Sequence, residues 1–335
     1  MKSSIPMIRL VLLIAVASIG GCTEQRSDDN HPVPAPRAAA KYRIAGIGFQ
    51  DDQFFKLVEA GMKDAAVKHD VEFSSSSSAG SLDKEISLLE TFSARKVNAI
   101  VVAPLSAKAS VPALKRAHDA GIKIVTFDAP LEADFQESSV KSDPVALGSP
   151  TGLAAKEYIQ KKLGGRAKIA IITYRSLLPE PAAKRTKGFK DEVSKLPGVQ
   201  FVAEQDAWLA PQAVNVVEGI LTAHLDLNII WAANEGGTVG AVTAVKNAGK
   251  AGKVAVFGTD ISEQMADFLL TNDSILQAVT GQKPFEIGAM SIETAVKAVK
   301  GEKVAKNVEL RGVLFTRDKP EEVRKYKDYL RGLNK

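Results

Sequence analysis

From Tyr42 onward the chain alternates short apolar runs with amphipathic segments, and it does so twice over. YRIAGIGF (42–49) reads as a buried strand, and Phe54, Val58, Met62 and Ala66 then recur at every fourth position, which is one face of a helix. VEFSSSSS (71–78) follows as a strand whose serine run suits a sheet edge. A helix over 82–96, the strand NAIVVAP, a helix over 108–120 and the strand IKIVTFD complete the first unit, with Gly121 at a helix stop. The pattern restarts with a helix over 144–163 that ends at Gly164-Gly165. KIAIITY, VQFVAE, NIIWAAN, KVAVFGTD and SILQAVT are its strands, with helices over 182–195, 211–224, 236–249 and 262–271 between them. A helix over 284–300 and VELRGVLF as a last strand close the pattern. Such an alternation builds parallel sheets with helices on both faces, so two doubly wound α/β units are expected in tandem. The tail from Lys319 is strongly charged, but Val323, Tyr326, Leu330 and Leu333 fall at helical spacing and predict a surface helix.

The N-terminus has a different composition. Lys2 and Arg9 precede the apolar run Leu10–Ile19, which is too short to cross a bilayer comfortably, and Gly20-Gly21-Cys22 follows. This resembles a bacterial lipoprotein signal, so residues 1–21 are expected to be removed and Cys22 to carry the lipid that holds the protein on a membrane. Cys22 is the only cysteine, which leaves none for an internal disulfide. Residues 22–40 are rich in proline, aspartate and alanine and read as a disordered tether. The formal net charge of +5 over 335 residues is a weak excess, spread over lysine-rich helices and the tail. It reads as solvated surface and gives no footprint for nucleic acid.

Ligands of open parallel sheets bind beyond the carboxyl ends of the strands. Short acidic and amide side chains recur there: Asp51 and Asp52 with Phe54 and Phe55 after the first strand, Asp128 after IKIVTF, Asn234 after NIIWAA, Asp260 after KVAVFGT and Gln282 after SILQAVTG. Any one of them, Asp52 or Asn234 in particular, also reads as a helix N-cap. Trp231 lies inside a strand and reads as core, whereas Trp208 follows a strand in a polar loop.

With these residues the chain resembles the bacterial periplasmic sugar-binding proteins of the ribose and galactose/glucose type. The resemblance covers residues 42 to about 316. It implies a type I periplasmic-binding fold, two doubly wound parallel-sheet lobes joined by a three-strand hinge. The implied boundaries are 41–142 plus 283–310 for the N-terminal lobe and 143–282 plus 311–318 for the C-terminal lobe, followed by a charged helix over 319–335. Chain crossings are expected near Ser142-Asp143, Gln282-Lys283 and Leu310-Arg311. The resemblance also implies a ligand set of Asp52, Phe54, Phe55, Asp128, Arg185, Trp208, Asn234, Asp260 and Gln282. Asp52 and Trp208 are galactose/glucose-type choices, while Phe55, Asp128 and Gln282 are ribose-type ones. Ala129 stands where the ribose type has a second arginine, and no calcium loop is seen near residues 168–180.

These residue types suit a sugar. Carboxylates accept two hydrogen bonds, a guanidinium donates several in a plane, and amides do both, while aromatic rings cover C–H faces. The implied function is a lipid-anchored, exported solute-binding protein. It would take a neutral monosaccharide (hexose, deoxyhexose or pentose), close about its hinge, and deliver the sugar to an ABC transporter permease, acting as a monomer. A receptor domain presenting a sugar to a membrane sensor is the alternative. No cofactor or metal is expected, and an enzyme is disfavoured. His31, His69, His118 and His224 show neither metal spacing nor triad order, and Asp51 stands where a third glycine after Gly46 and Gly48 would complete a dinucleotide fingerprint.

Overall fold

The computed structural model describes residues 42–51 and 53–333. In chain order, β1 (Tyr42–Gly48), α1 (Gln53–Lys68), β2 (Val71–Ser77), α2 (Leu82–Ala94), β3 (Ala99–Val102), α3 (Val111–Asp119), β4 (Lys123–Phe127) and β5 (Ser138–Ser142) come first. A second series has α4 (Pro144–Lys162), β6 (Arg166–Thr173), α5 (Pro179–Val193), β7 (Gly198–Asp206), α6 (Ala210–Ala223) and β8 (Ile229–Ala232). It continues with α7 (Glu235–Asn247), β9 (Ala255–Thr259), α8 (Glu263–Leu270) and β10 (Leu276–Gly281). The chain ends with α9 (Pro284–Val299), β11 (Asn307–Leu310), β12 (Val313–Thr316) and α10 (Pro320–Leu333).

The strands form two six-stranded sheets of the same order, β11-β5-β4-β3-β1-β2 and β12-β10-β9-β8-β6-β7. All pairings in the first are parallel, and in the second β12 alone runs antiparallel, against β10. Each sheet is covered on both faces because its central strands are apolar at every position. In β3, Ala99 and Val101 face one core with α1 and α9, while Ile100 and Val102 face another with α2 and α3. In β8, Ile229 and Trp231 pack toward α4 and α5, and Ile230 and Ala232 toward α6 and α7. This is the double burial that reads in sequence as an unbroken apolar run.

Two helices are exchanged between the sheets. The chain leaves β5 of the first sheet for α4, whose Ala155 and Ile159 join the core of the second. It leaves β10 of the second for α9, whose Ile287 and Ile292 join the core of the first. It passes once more through Arg311-Gly312, between β11 and β12. A Cβ at Gly312 would lie 2.9 Å from Gly281 O and would have to displace the Thr280 and Leu147 methyls, at 2.6 and 2.7 Å, so this crossing favours glycine.

The structure corrects three expectations. Residues 138–142 are a fifth strand where none was predicted: Val140 is the sole apolar residue of SSVKS, and its serines are buried between β4 and β11. VELRGVLF is two short strands in different sheets. The helix predicted from residue 182 begins at Pro179, a residue whose fixed φ suits the first helical turn. The serine run does form an edge strand, paired with β1 alone.

Candidate functional site

The fourth strand of each sheet ends in the same way. The N–H of Asp128, after β4, donates to Val140 O at 3.0 Å, and the N–H of Asp260, after β9, donates to Thr280 O at 2.9 Å. Each aspartate closes the ladder to the next strand and then turns left-handed, with φ of 58° at Asp128 and 72° at Asp260. Aspartate tolerates this region better than most residues, at a cost of about 1 kcal/mol. The strain aims both carboxylates out of their sheets into one cavity of about 830 Å³ lined by residues of both.

The second sheet surrounds its aspartate with a polar network. Asp260 Oδ2 accepts from the Glu235 N–H at 3.0 Å and lies 3.8 Å from Arg185 Nη1. Its Oδ1 accepts from Gln282 Nε2 at 2.8 Å, and Gln282 Oε1 accepts from Ser142 Oγ at 2.7 Å. Gln282 therefore ties Asp260 to the end of β5 in the other sheet. Arg185, on α5, is 8% exposed, donates from Nη1 to Ala233 O at 2.6 Å, and has a buried Nε with no partner. Its guanidinium lies 5.2 Å from the centre of the Tyr174 ring. Burial pushes the Tyr174 hydroxyl up to about 12, with Arg185 opposing the shift and Asp260 and Asp128 adding to it.

Asn234 is the N-cap of α7. Its Oδ1 accepts from the Gly237 N–H at 3.2 Å and its Nδ2 donates to Trp208 O at 2.8 Å. The capping role foreseen as the alternative reading is thus real, and it also fastens the Trp208 loop. A Cβ at Gly236 would lie 2.2 Å from Trp208 O, so only glycine lets α7 approach that loop. The half-buried Trp208 borders the cavity, whereas Trp231 is fully buried, stacked 4.8 Å from Phe189.

The first sheet contributes rings. Half-buried Phe54 meets the edge of Phe55 at 5.4 Å. Phe55 borders the cavity but is 8% exposed and packs edge-on against Phe49 at 4.6 Å and Phe127 at 6.1 Å, so it supports Phe54 from the core. Of the residues expected from the sequence, Phe54, Phe55, Asp128, Arg185, Trp208, Asn234, Asp260 and Gln282 all line this one cavity. Asp52 and Cys22 lie outside the described residues. Sequence reasoning passed over Tyr174 and Phe49, which hold equivalent places after β6 and β1; the signal was an aromatic residue directly after the first strand of each unit. It also passed over Tyr326 on α10, which borders the cavity and packs on Phe315 at 4.6 Å. Among the described lining residues, four carboxylates (Asp51, Asp128, Glu235 and Asp260) face one guanidinium.

Residues 47–303 match the periplasmic binding protein domain. The chain belongs to that family. It is 32% identical to the ABC transporter periplasmic-binding protein YphF of Escherichia coli over 280 residues, 80% of this chain and 85% of that protein. It is 30% identical to the ribose import binding protein RbsB of Escherichia coli over 271 residues, 80% of this chain and 88% of that protein. In three dimensions it is similar to an ABC transporter periplasmic solute binding protein from Actinobacillus succinogenes solved with bound D-allose. The TM-score is 0.76, with 28% identity, over 84% of this chain and 100% of that one. The periplasmic binding proteins bind solutes for transport, and the chain is a binding protein, not an enzyme.

Proposed function

We propose that the protein is the lipid-anchored, exported sugar-binding component of an ABC transporter. It captures one neutral monosaccharide between its lobes and delivers it to the permease. The observation that carries this reading is the pair of left-handed aspartates, Asp128 and Asp260, presented from opposite sheets into one cavity with Arg185 beside the second. Two carboxylates on separate bodies take hydroxyls from the two ends of a small polyol, and a sugar satisfies both only when the bodies come together. Closure then follows from the ligand's greater affinity for the closed state. Phe54 and Trp208, from the two lobes, cover the C–H faces of the ring. Asp52, Asn234 and Gln282 complete the ligand set, the last two mainly as supports for Trp208 and Asp260.

The excess of carboxylates over cations in the cavity favours uncharged ligands and repels sugar phosphates and sugar acids, the more so as water leaves. Ala129 leaves more room than a second arginine, and Trp208 is a broad platform, so a hexose or deoxyhexose is preferred to ribose. The relative solved with D-allose supports a hexose. A thermal-shift screen of the protein against pentoses, hexoses, deoxyhexoses, inositols and sugar phosphates tests the reading. A neutral sugar raises the melting temperature by mass action and the phosphates do not; stabilisation by sugar phosphates alone would refute it. Anchorage through Cys22 is tested separately, since Cys22→Ala releases the protein from membranes of its native host.

A further inference from the structure

Glycine in a helix interior weakens the helix relative to alanine, so each one asks for a reason. Gly148 in α4 and Gly188 in α5 have a shared one. A Cβ at Gly148 would lie 2.0 Å from the Arg185 carbonyl oxygen and 2.9 Å from Phe189 N, and a Cβ at Gly188 would lie 2.3 Å from Val145 O. The two helices therefore touch backbone to backbone at the turn that carries Arg185. The first lobe repeats the device with its own exchanged helix: a Cβ at Gly61 in α1 would lie 1.9 Å from Phe285 O of α9, and one at Gly288 in α9 would lie 1.9 Å from Val58 O of α1. Val58 is one turn beyond Phe54. In both lobes, then, the helix that follows a chain crossing is clamped by glycine to the helix that carries candidate ligand groups.

We propose that Gly148 is a positioning residue for Arg185, setting the guanidinium against Asp260 from the hinge. α4 begins at its N-cap Asp143, next to Ser142, and Ser142 Oγ donates to the Gln282 side chain that in turn donates to Asp260. Arg185 is registered to this crossing through its backbone at Gly148, and Asp260 through its carboxylate at Gln282. The two ends of the 3.8 Å charge contact thus share one origin in the hinge. The guanidinium is also held from the far side by Ala233 O, so a retreat of α5 pulls it against that bond and against the 3.8 Å contact with Asp260. Ordinary contact with a Cβ begins at 3.4 Å against the 2.0 Å present, so an added methyl forces α5 back by roughly 1 Å in a close-packed interior.

The inference rests on the proposed reading of Arg185 as a sugar contact only for its effect on affinity, not for the geometry. The test compares Gly148→Ala with Gly152→Ala. Gly152 lies on the same helix one turn on, where its Cβ would meet Phe189 O at 2.8 Å and Glu192 Cβ at 2.9 Å, away from the Arg185 carbonyl. Crystal structures of both variants are combined with calorimetry. The titrant is whichever of D-allose, D-ribose, D-galactose and myo-inositol binds the wild type tightest. Gly148→Ala moves the Arg185 guanidinium relative to Asp260 by about 0.5–1 Å and weakens the sugar about 10- to 100-fold. Gly152→Ala keeps the guanidinium in place and the affinity within about threefold, although both variants lose stability. An unmoved guanidinium in Gly148→Ala, or equal affinity losses in the two variants, overturns the proposal. Should Gly148→Ala not fold, Gly188→Ala opens the same turn from the α5 side and is held to the same outcomes. If Arg185→Ala leaves wild-type affinity intact, or no sugar binds the wild type, the reading of the site fails, and the displacement of Arg185 still decides the clamp.

Discussion

The two lobes share a strand order and end their fourth strands on a left-handed aspartate, yet they complete the cavity with different chemistry. Around Asp128 the first lobe sets rings, with Phe49, Phe54, Phe55 and Phe127 packed edge to edge. Around Asp260 the second lobe sets donors: Arg185, Gln282 and the Glu235 N–H. Even the residue after the first strand follows suit, Phe49 in one lobe and Tyr174 in the other. A repeated backbone thus carries an aspartate in each half, backed mainly by rings in the first lobe and by hydrogen-bond donors, with Trp208 beside them, in the second; on the proposed reading both walls take hydroxyls, and the second fixes them more tightly. The division carries an energetic consequence, because an unpaired buried polar group costs more than a lost apolar contact.

The largest effect belongs to the second lobe. Asp260→Ala or Arg185→Ala leaves buried donors or acceptors unmatched and weakens sugar binding by about 2–4 kcal/mol, roughly 30- to 1,000-fold. Asp128→Ala stands at the lower end of that range. Calorimetry that finds Phe54→Ala as costly as Asp260→Ala would break the comparison. Next comes Tyr174, whose equivalent in the first lobe has no hydroxyl. Burial pushes its phenol up to about 12 in the folded protein, against about 10 for a free tyrosine. The neutral form is the one the fold favours. This contribution is therefore fully present below pH of about 10 and is lost as pH rises toward 12, on the order of 2–3 kcal/mol. The difference between wild type and Tyr174→Phe in urea unfolding isolates it: the gap narrows across that window, and a gap independent of pH would contradict the burial.

Of smaller size is Phe54→Ala, which removes ring contact from the first lobe and costs about 1–2 kcal/mol in affinity, with little dependence on salt. The smallest expected change follows from Ser142→Ala. It removes the 2.7 Å bond to Gln282 between the lobes and shifts affinity by about 0.5–1.5 kcal/mol through the hinge rather than the sugar. A change seen equally in the urea midpoint and in affinity would place that bond in the fold alone.

How much of this was legible in the sequence differs along the same lines. The central strands declared themselves because both faces are buried, and runs such as IVV or IIWA are too short for helices and rich in β-branched residues. β5 did not, since SSVKS is buried by its neighbours rather than by its own apolarity. The break inside VELRGVLF lies where the chain passes from β5 as its partner to β10, strands far away along the chain. Asp128 and Asp260 stood out by following strands, but the left-handed turn that aims them is a property of the ladder each one closes. Asn234 read equally as ligand and cap, and its hydrogen bonds to Gly237 and Trp208 came only with the structure. Tyr326 had no sequence signal beyond helical spacing; it reaches the cavity because buried Val323 and Leu330 seat α10 on the second lobe, with the Phe315 ring against Tyr326.

On the proposed reading a small neutral sugar draws together two lobes that each hold half of its contacts. Small-angle X-ray scattering of the protein with and without a saturating sugar from the thermal-shift screen tests it most directly. A smaller radius of gyration is expected with sugar bound, a change abolished in Asp260→Ala at the same sugar concentration. A sugar that saturates the wild-type protein and leaves the radius unchanged would contradict it.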